Sequence, residues 1–286
     1  MMDHIFICDM QQGQQIRGYY LLSCVTQRQS FMGSTYCLVQ LQDVRGSISG
    51  IIAAIVPEHI AGNVVYVEGH IALYNDKPQI KLHCIAPANA PDAAAYSLDD
   101  LLPAPLEDPQ AVFRQLRIHI SGIMDPDYRT LCQMALQQSQ EKIIWYPGGK
   151  SQHHWHIGGF ALHTLHVITL SQAASSTCAG DVDLDLLTAG AFFHDIGKLE
   201  ENMLSPLGLF SSPTESGTLL RHTELGIKIV TTLAASAGTP TEKLDRLLHI
   251  IGSHHANGDV KPVLREAKIV AAADTLNSSL FYSEAA

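Results

Sequence analysis

The hydrophobic pattern of this 286-residue chain changes period once, and it does so across a cluster of prolines. Five of the thirteen prolines (Pro87, Pro91, Pro103, Pro105 and Pro109) fall within residues 87–109, among alanines and small polar residues. Such a stretch sustains neither a strand nor a helix. It therefore predicts a linker over residues 91–110, between one domain at 1–90 and another at 111–286.

Before the linker the period is two. Cys37, Val39 and Leu41 alternate with Leu38, Gln40 and Gln42, the pattern of a half-buried strand. Val65, Val67, Ile71 and Leu73 alternate with Tyr66, Glu68 and His70, and Ile80, Leu82 and Cys84 with Lys81 and His83. Asn75-Asp76, ahead of Pro78, predicts a tight turn between the last two strands. With 16–27 and 46–55 these make five strands, with a short connector at 57–60 after the third. That order predicts an OB-type barrel.

After the linker the period becomes helical. Phe113, Leu116, Ile120 and Ile123 recur at three- and four-residue intervals, and Leu131, Met134 and Leu136 begin a second such segment. Further helices are expected near 158–174, 184–198, 218–235, 242–255 and 263–280, with Asp183 or Asp185 as an N-cap. The fold class is thus multidomain α and β: a five-stranded barrel followed by an all-α bundle.

Polar residues interrupt the apolar stripes of those helices. One stripe runs Leu187, Ala191, His194, Asp195, Lys198; His163 and His166 share another with Leu170. His222 leads Leu225 and Ile229, His254-His255 end the stripe of Leu244, Leu247, Leu248 and Ile251, and Asp274 follows Ala267, Val270 and Ala271. A lone histidine on an apolar face is ordinarily a satisfied core group, and a buried carboxylate needs a partner or a metal. Five helices each pointing such residues inward argue for a metal centre. Imidazole and carboxylate donors without thiolate suit zinc, iron, manganese or magnesium-type chemistry. An aspartate flanked by histidines can bridge two metals that activate water.

Composition narrows the alternatives. Apolar residues make up 46% and charged residues 16%, enough for a large core and too apolar for global disorder. No apolar run reaches the length of a membrane span, and the N-terminus lacks the basic start of a secretory signal. Six scattered cysteines without a C-x-x-C pair fit a reducing cytoplasm. The formal charge of −10 argues against a lysine-coated nucleic-acid binder, but a local field around bound metals is not excluded. Ten of the fifteen histidines lie between His153 and His255.

The order His163, His194-Asp195, His222, His254-His255, Asp274 resembles the HD-domain metal-dependent phosphohydrolase superfamily, with His194-Asp195-Ile196-Gly197-Lys198 as its signature. Three further blocks are similar to the YhaM-type 3′→5′ exoribonuclease family, which joins an OB fold to an HD domain. They are His153-His154 with Gly158-Gly159 and His163; Gly217-Thr218-Leu219-Leu220-Arg221-His222; and Ser253-His254-His255 with Lys261-Pro262 downstream. The resemblance implies two divalent metal ions, manganese favoured, with iron, cobalt, nickel or zinc as alternatives. His163, His194 and Asp274 would hold one and His222, His254 and His255 the other, with Asp195 bridging. Lys198 would steady a phosphate oxygen or the leaving group, and His154 and Arg221 would contact substrate. His153, His156 and His166 would orient ligands or pack, and His249 is expected to be structural.

The chain departs from that family at Arg221, where a small residue is expected. The loop 256–260 is shorter, and Thr275-Leu276-Asn277 lacks the acidic and basic residues expected beyond Asp274. The chain also stops soon after Tyr282. These differences bear on substrate choice and oligomeric state, and leave a homo-oligomer open. The His-His-x-His-x-Gly-Gly block also looks like HD domains of relaxase-type proteins, so DNA stays a candidate beside RNA.

On the barrel, outward Tyr36, Tyr66 and Lys81, with Arg45 and Tyr74 in turns and Phe31 in a loop, could stack and hold a single strand. Tyrosine also simply suits strands, and residues 1–100 carry five basic against nine acidic groups. The reading at this stage is a cytoplasmic phosphodiesterase that degrades single-stranded RNA, or DNA, from the 3′ end. The rivals are a phosphohydrolase for nucleotides or cyclic dinucleotides, and an OB-based binding protein with a scaffold HD domain.

Overall fold

The computed structural model describes residues 4–31, 33–57, 60–89, 94–102, 104–149, 154–178, 180–255 and 260–280. Glu58 and His59 of the connector, Pro91 and Pro103 of the linker, His153, residues 256–259 and Tyr282 lie outside them. Strands β1 (Gln15–Gln29), β2 (Thr35–Asp43), β3 (Gly46–Ile52), β4 (Asn63–Tyr74) and β5 (Lys77–Pro87) form a closed barrel in the order β1-β2-β3-β5-β4. All neighbours are antiparallel except β3 and β5. Closure removes the free edges that a five-stranded sheet would otherwise expose. Inward Ile16, Cys37, Val39, Leu41, Val65, Val67, Ile71, Ile80 and Leu82 fill the interior, as their alternation predicts.

Two inward expectations fail locally. Leu73 is exposed, because it sits at the end of β4 beside the Asn75-Asp76 turn, whose residues both have positive φ. That is the geometry of a two-residue hairpin turn. Near Glu68 and Gly69 the β4–β5 register shifts by one residue, so Ile85, rather than Cys84, packs against the barrel core.

The second region contains helices α1 (Leu98–Leu101), α2 (Pro109–Ser121), α3 (Pro126–Gln138), α4 (Gln140–Trp145), α5 (Gly159–Ser175), α6 (Leu184–Phe193) and α7 (Lys198–Glu201). After them come α8 (Glu215–Leu219), α9 (His222–Ala237), α10 (Thr241–Ser253) and α11 (Arg265–Leu280). Helix α6 is the axle: Leu186, Leu187, Ala189, Ala191, Phe192 and Phe193 are wholly buried, against α3, α5, α10 and α11. Its N-cap is Asp183, whose side chain accepts from the backbone N–H groups of Asp185 and Leu186. Among the described residues no helix is long and apolar enough to cross a membrane.

The region is not all-α. A short antiparallel hairpin, β6 (Asn202–Leu204) and β7 (Phe210–Pro213), follows α7 directly. It touches the barrel where Ser205 Oγ donates to Gly62 O at 2.6 Å. Gly62 has φ +78°, and a Cβ there would lie 2.4 Å from Phe210 O. On the linker side, Val44 N–H donates to Asp100 O at 3.0 Å, and Leu101 is fully buried.

Gly62→Ala should therefore be destabilising twice over, through left-handed backbone and through collision with the hairpin. The backbone alone costs about 1–2 kcal/mol, a drop in Tm of roughly 2–8 °C for a chain of this size. A calorimetric scan against wild type reads it; an unchanged Tm would mean that Gly62 neither needs left-handed backbone nor meets the hairpin.

Candidate metal centre

Five segments deliver side chains to one point. His163 comes from the first half of α5, and Asp274 from the third turn of α11. His194 and Asp195 lie just beyond α6, His222 opens α9, and His254 and His255 follow α10. The expected continuous helix over 184–198 is broken: α6 ends at Phe193, and residues 194–197 turn more tightly. There Ile196 N–H donates to Phe193 O and Lys198 N–H to Asp195 O, three residues apart rather than four. A cause is visible at Gly197, where a Cβ would lie 1.9 Å from His222 O. The turn and the start of α9 meet backbone to backbone. Only glycine permits this.

Asp195 is wholly enclosed, and its two oxygens face different ways. Oδ2 lies 3.4 Å from His163 Nε2, 3.4 Å from His194 Nε2 and 2.6 Å from Lys198 Nζ. Oδ1 lies 3.7 Å from His222 Nε2 and 3.6 Å from His254 Nε2. On the first side, His163 Nε2 is 3.2 Å from His194 Nε2 and 3.3 Å from Asp274 Oδ1. On the second, His222 Nε2 is 2.7 Å from His255 Nε2. His163, His194 and Asp195 thus form one group of converging donor atoms, and His222, His254 and His255 another.

Backbone carbonyls set which nitrogen faces inward. His194 Nδ1–H donates to Ala191 O at 2.7 Å and His254 Nδ1–H to Ile251 O at 2.8 Å. In each neutral ring the Nε2 lone pair then points into the centre. Asp195 Oδ1 and His254 Nε2 are buried and have no hydrogen-bond partner among the described residues. Stranding a carboxylate oxygen and an imidazole nitrogen together is costly unless a cation lies between them. The donor set therefore fits divalent metal.

Electrostatics agree with this. Burial works against ionisation of Asp195, but the Lys198 ammonium, with a hydrogen bond from His163, holds its carboxyl well below the usual range. Burial also opposes a charge on Lys198, and Asp195 overcomes it, pushing the ammonium up. For His163, burial is outweighed by the Asp195 and Asp274 carboxylates, which push its pKa up to about 9. His194 moves the other way, lowered chiefly by burial.

The remaining expected site residues fall in several places. Arg221 is exposed beside His222, and its N–H donates to Glu224 Oε2 at the start of α9. His154 is buried, and its Nε2–H donates to Asn277 Oδ1 at 3.0 Å, so it sits behind His163 rather than at the mouth. Burial and His163 pull its pKa down to about 3. Tyr66 and Lys81 share the outer barrel face of β4 and β5, remote in sequence from the centre. There Tyr66 OH donates to Glu68 Oε1 at 2.7 Å, and Lys81 is exposed. Tyr19 packs on Tyr66, and Tyr96 of the linker on Tyr19. Of the other barrel aromatics, Phe31 and Tyr74 are exposed; Arg45 instead covers the Phe6 ring. His249 Nε2 accepts from Val263 N–H, tying the segment after His255 back to α10.

Two contributors escaped the sequence reading. Glu201 Oε1 accepts from His222 N–H at 3.2 Å and lies 3.5 Å from His222 Nδ1, so this carboxylate backs a ligand of the second group. Asn277 Oδ1 accepts from His163 Nδ1–H at 2.7 Å, backing a ligand of the first. Asn277 lies one turn beyond Asp274 on the same buried face, a spacing the sequence already carried.

Residues 160–278, the span from α5 through most of α11, match the HD domain family model. The chain therefore carries an HD domain behind a five-stranded barrel. Over nearly its whole length it is similar to proteins named 3′-5′ exoribonuclease YhaM. One, from Halalkalibacterium halodurans, is 26% identical over 278 residues, covering 94% of this chain and 85% of the relative. Another, from Geobacillus sp. (strain WCH70), is 28% identical over 276 residues, covering 94% and 83%.

Since His163 carries a proton below about pH 9 in the metal-free protein, metal must displace it from Nε2. Uptake at that group should release a proton and weaken as pH falls, by about tenfold per pH unit for one displaced proton. Calorimetric metal titrations between about pH 6 and about pH 8, in buffers of different ionisation heat, count the proton. A pH-independent affinity with no proton released would show that metal displaces no proton from His163.

Proposed function

We propose that this chain is a 3′→5′ exoribonuclease that hydrolyses single-stranded RNA to nucleoside monophosphates with two divalent metal ions, manganese favoured. The observation that carries the reading is the division of the Asp195 carboxylate, with one oxygen toward His163 and His194 and the other toward His222 and His254. A bridging carboxylate between two imidazole groups is what a binuclear site requires. The direction of attack and the RNA substrate rest on similarity to relatives bearing that name. A reducing cytoplasm suits the cysteines, which are all unpaired.

In this reading His163, His194 and Asp274 would hold one ion and His222, His254 and His255 the other, with Asp195 serving both. When bound, the ions supply Lewis acidity at the scissile phosphate and a water of lowered pKa. Lys198, kept protonated by Asp195, presents its ammonium to a phosphate oxygen or the leaving oxygen. Arg221, exposed at the N-cap of α9, would contact the nucleotide. His154 acts from behind, through Asn277. The barrel of residues 1–90 holds the strand upstream, with Tyr66 and Lys81 on its outer face, and residues 91–110 join it to the catalytic region 111–286.

Asp195→Ala should abolish hydrolysis of labelled single-stranded RNA and lower metal content from about two ions per chain, while circular dichroism stays helical. Near wild-type turnover by this variant would falsify the binuclear mechanism. Degradation of cyclic dinucleotides or nucleotides, but not RNA, by the wild type would move the assignment to the small-nucleotide phosphohydrolases.

Deleting residues 1–90 should weaken action on a long RNA far more than on a dinucleotide, because the short substrate never reaches the barrel. The loss should appear mainly in KM if the barrel holds ground and transition states equally. Joint substitution of Tyr66 and Lys81 by alanine should reproduce part of it, at about 1–3 kcal/mol for the lost stack. Both proteins must first be shown folded and metal-loaded. Equal losses on the two substrates would mean that the barrel only supports the fold.

A further inference from the structure

One buried amide behind the metal centre touches three imidazoles at once. Asn277 is 2% exposed, on the inner face of α11 three residues after Asp274. Its Oδ1 accepts from His163 Nδ1–H at 2.7 Å and from His154 Nε2–H at 3.0 Å. Its Nδ2 lies 3.3 Å from His166 Nδ1 and donates to it. The three rings stand close together, with His154 5.5 Å from His163 and 5.8 Å from His166, centroid to centroid.

An amide oxygen only accepts, so both facing ring nitrogens must carry their hydrogens. That choice has a consequence for His163. With the proton fixed on Nδ1, its Nε2 is the atom left to donate a lone pair toward His194, Asp195 and Asp274. The opposite amide orientation would aim N–H groups at His163 Nδ1, demand a lone pair there and move the proton to the metal-facing nitrogen. His166 fixes the orientation from the other end, because its Nδ1 takes the amide N–H.

We propose that Asn277 is the positioning residue for the first metal site: it fixes the ring orientation and the proton placement of His163, with His154 and His166 locking the amide. The proposal rests on reading His163 as a metal ligand. It concerns a neutral acceptor where the backing of His222 is the carboxylate of Glu201. The two sites are thus backed by groups of different charge, and the one behind His163 adds none to a centre that already holds Asp195 and Asp274.

The test compares Asn277→Leu, of similar size and without polar atoms, with Asn277→Asp, which keeps an acceptor for both N–H groups. Manganese is titrated into metal-free full-length protein and followed by calorimetry and paramagnetic resonance. Asn277→Leu should lose about 10–100-fold in affinity for one ion of the two, as removal of a hydrogen bond behind a ligand does. The second ion should bind as in wild type. Asn277→Asp, which keeps the acceptor for His163 but adds a charge and loses the N–H for His166, should hold the first ion more tightly than Asn277→Leu does. In RNA hydrolysis at limiting manganese, kcat should fall for the leucine variant with KM unchanged, and excess manganese should restore it.

Wild-type affinity in Asn277→Leu, or equal weakening of both ions, overturns the proposal. Should the leucine variant fail to fold, the aspartate variant decides: a folded Asn277→Asp protein that loses the first ion overturns it too. A wild type that binds two ions but leaves RNA intact refutes the substrate assignment and not the role of Asn277. A wild type that binds no ion removes both.

Discussion

The structure turns on a single buried carboxylate. Asp195 keeps its charge in a position from which water is excluded, and an uncompensated charge there would cost several kcal/mol. Four of the five converging segments bring it imidazole or ammonium partners, and local devices place several of them. The end of α6 tightens so that Asp195 and Lys198 pair at 2.6 Å. Gly197 lets the start of α9 approach, bringing His222 within reach of Oδ1. Backbone carbonyls of α6 and α10 turn two imidazoles so that their bare nitrogens face inward. Removing the carboxylate would leave these devices converging on nothing.

The support behind the ligands is uneven in a way that chemistry explains. His194 and His254 sit just past helix C-termini, where backbone carbonyls lack intrahelical partners and can accept a ring N–H. His163 and His222 sit inside or at the start of helices, where no carbonyl is spare. They are backed instead by side chains, Asn277 and Glu201. The position of each histidine in its helix thus decides what kind of partner it needs.

Much of this was legible in the sequence, for a physical reason. Alternation and helical stripes report burial directly, so the barrel strands and the inward set of His163, Asp195 and Asp274 could be read from spacing. Leu73 and Cys84 were misread because alternation does not register where a strand reaches its turn or where a bulge shifts the face. The break at residues 194–197 depends on contact with α9, which no local pattern encodes. The β6–β7 hairpin is too short to show a period. Glu201 and Asn277 were missed because a group that backs a ligand need not be of ligand type, and Asn277 stood out only as a departure from an expected acidic pattern.

The contacts at Gly62 and at Asp100 have a mechanical meaning. A domain tethered by one flexible linker sweeps out a cone, and whatever it carries reaches a fixed point only part of the time. Here the barrel is fastened twice, by the linker segment along Val44 and Leu101 and by the hairpin that leaves α7 directly after Glu201. Two separated fastenings remove most of the rotational freedom that one would leave. The barrel and the centre then behave as a jig, in which the span between the barrel and the buried carboxylate is built into the fold rather than found by diffusion.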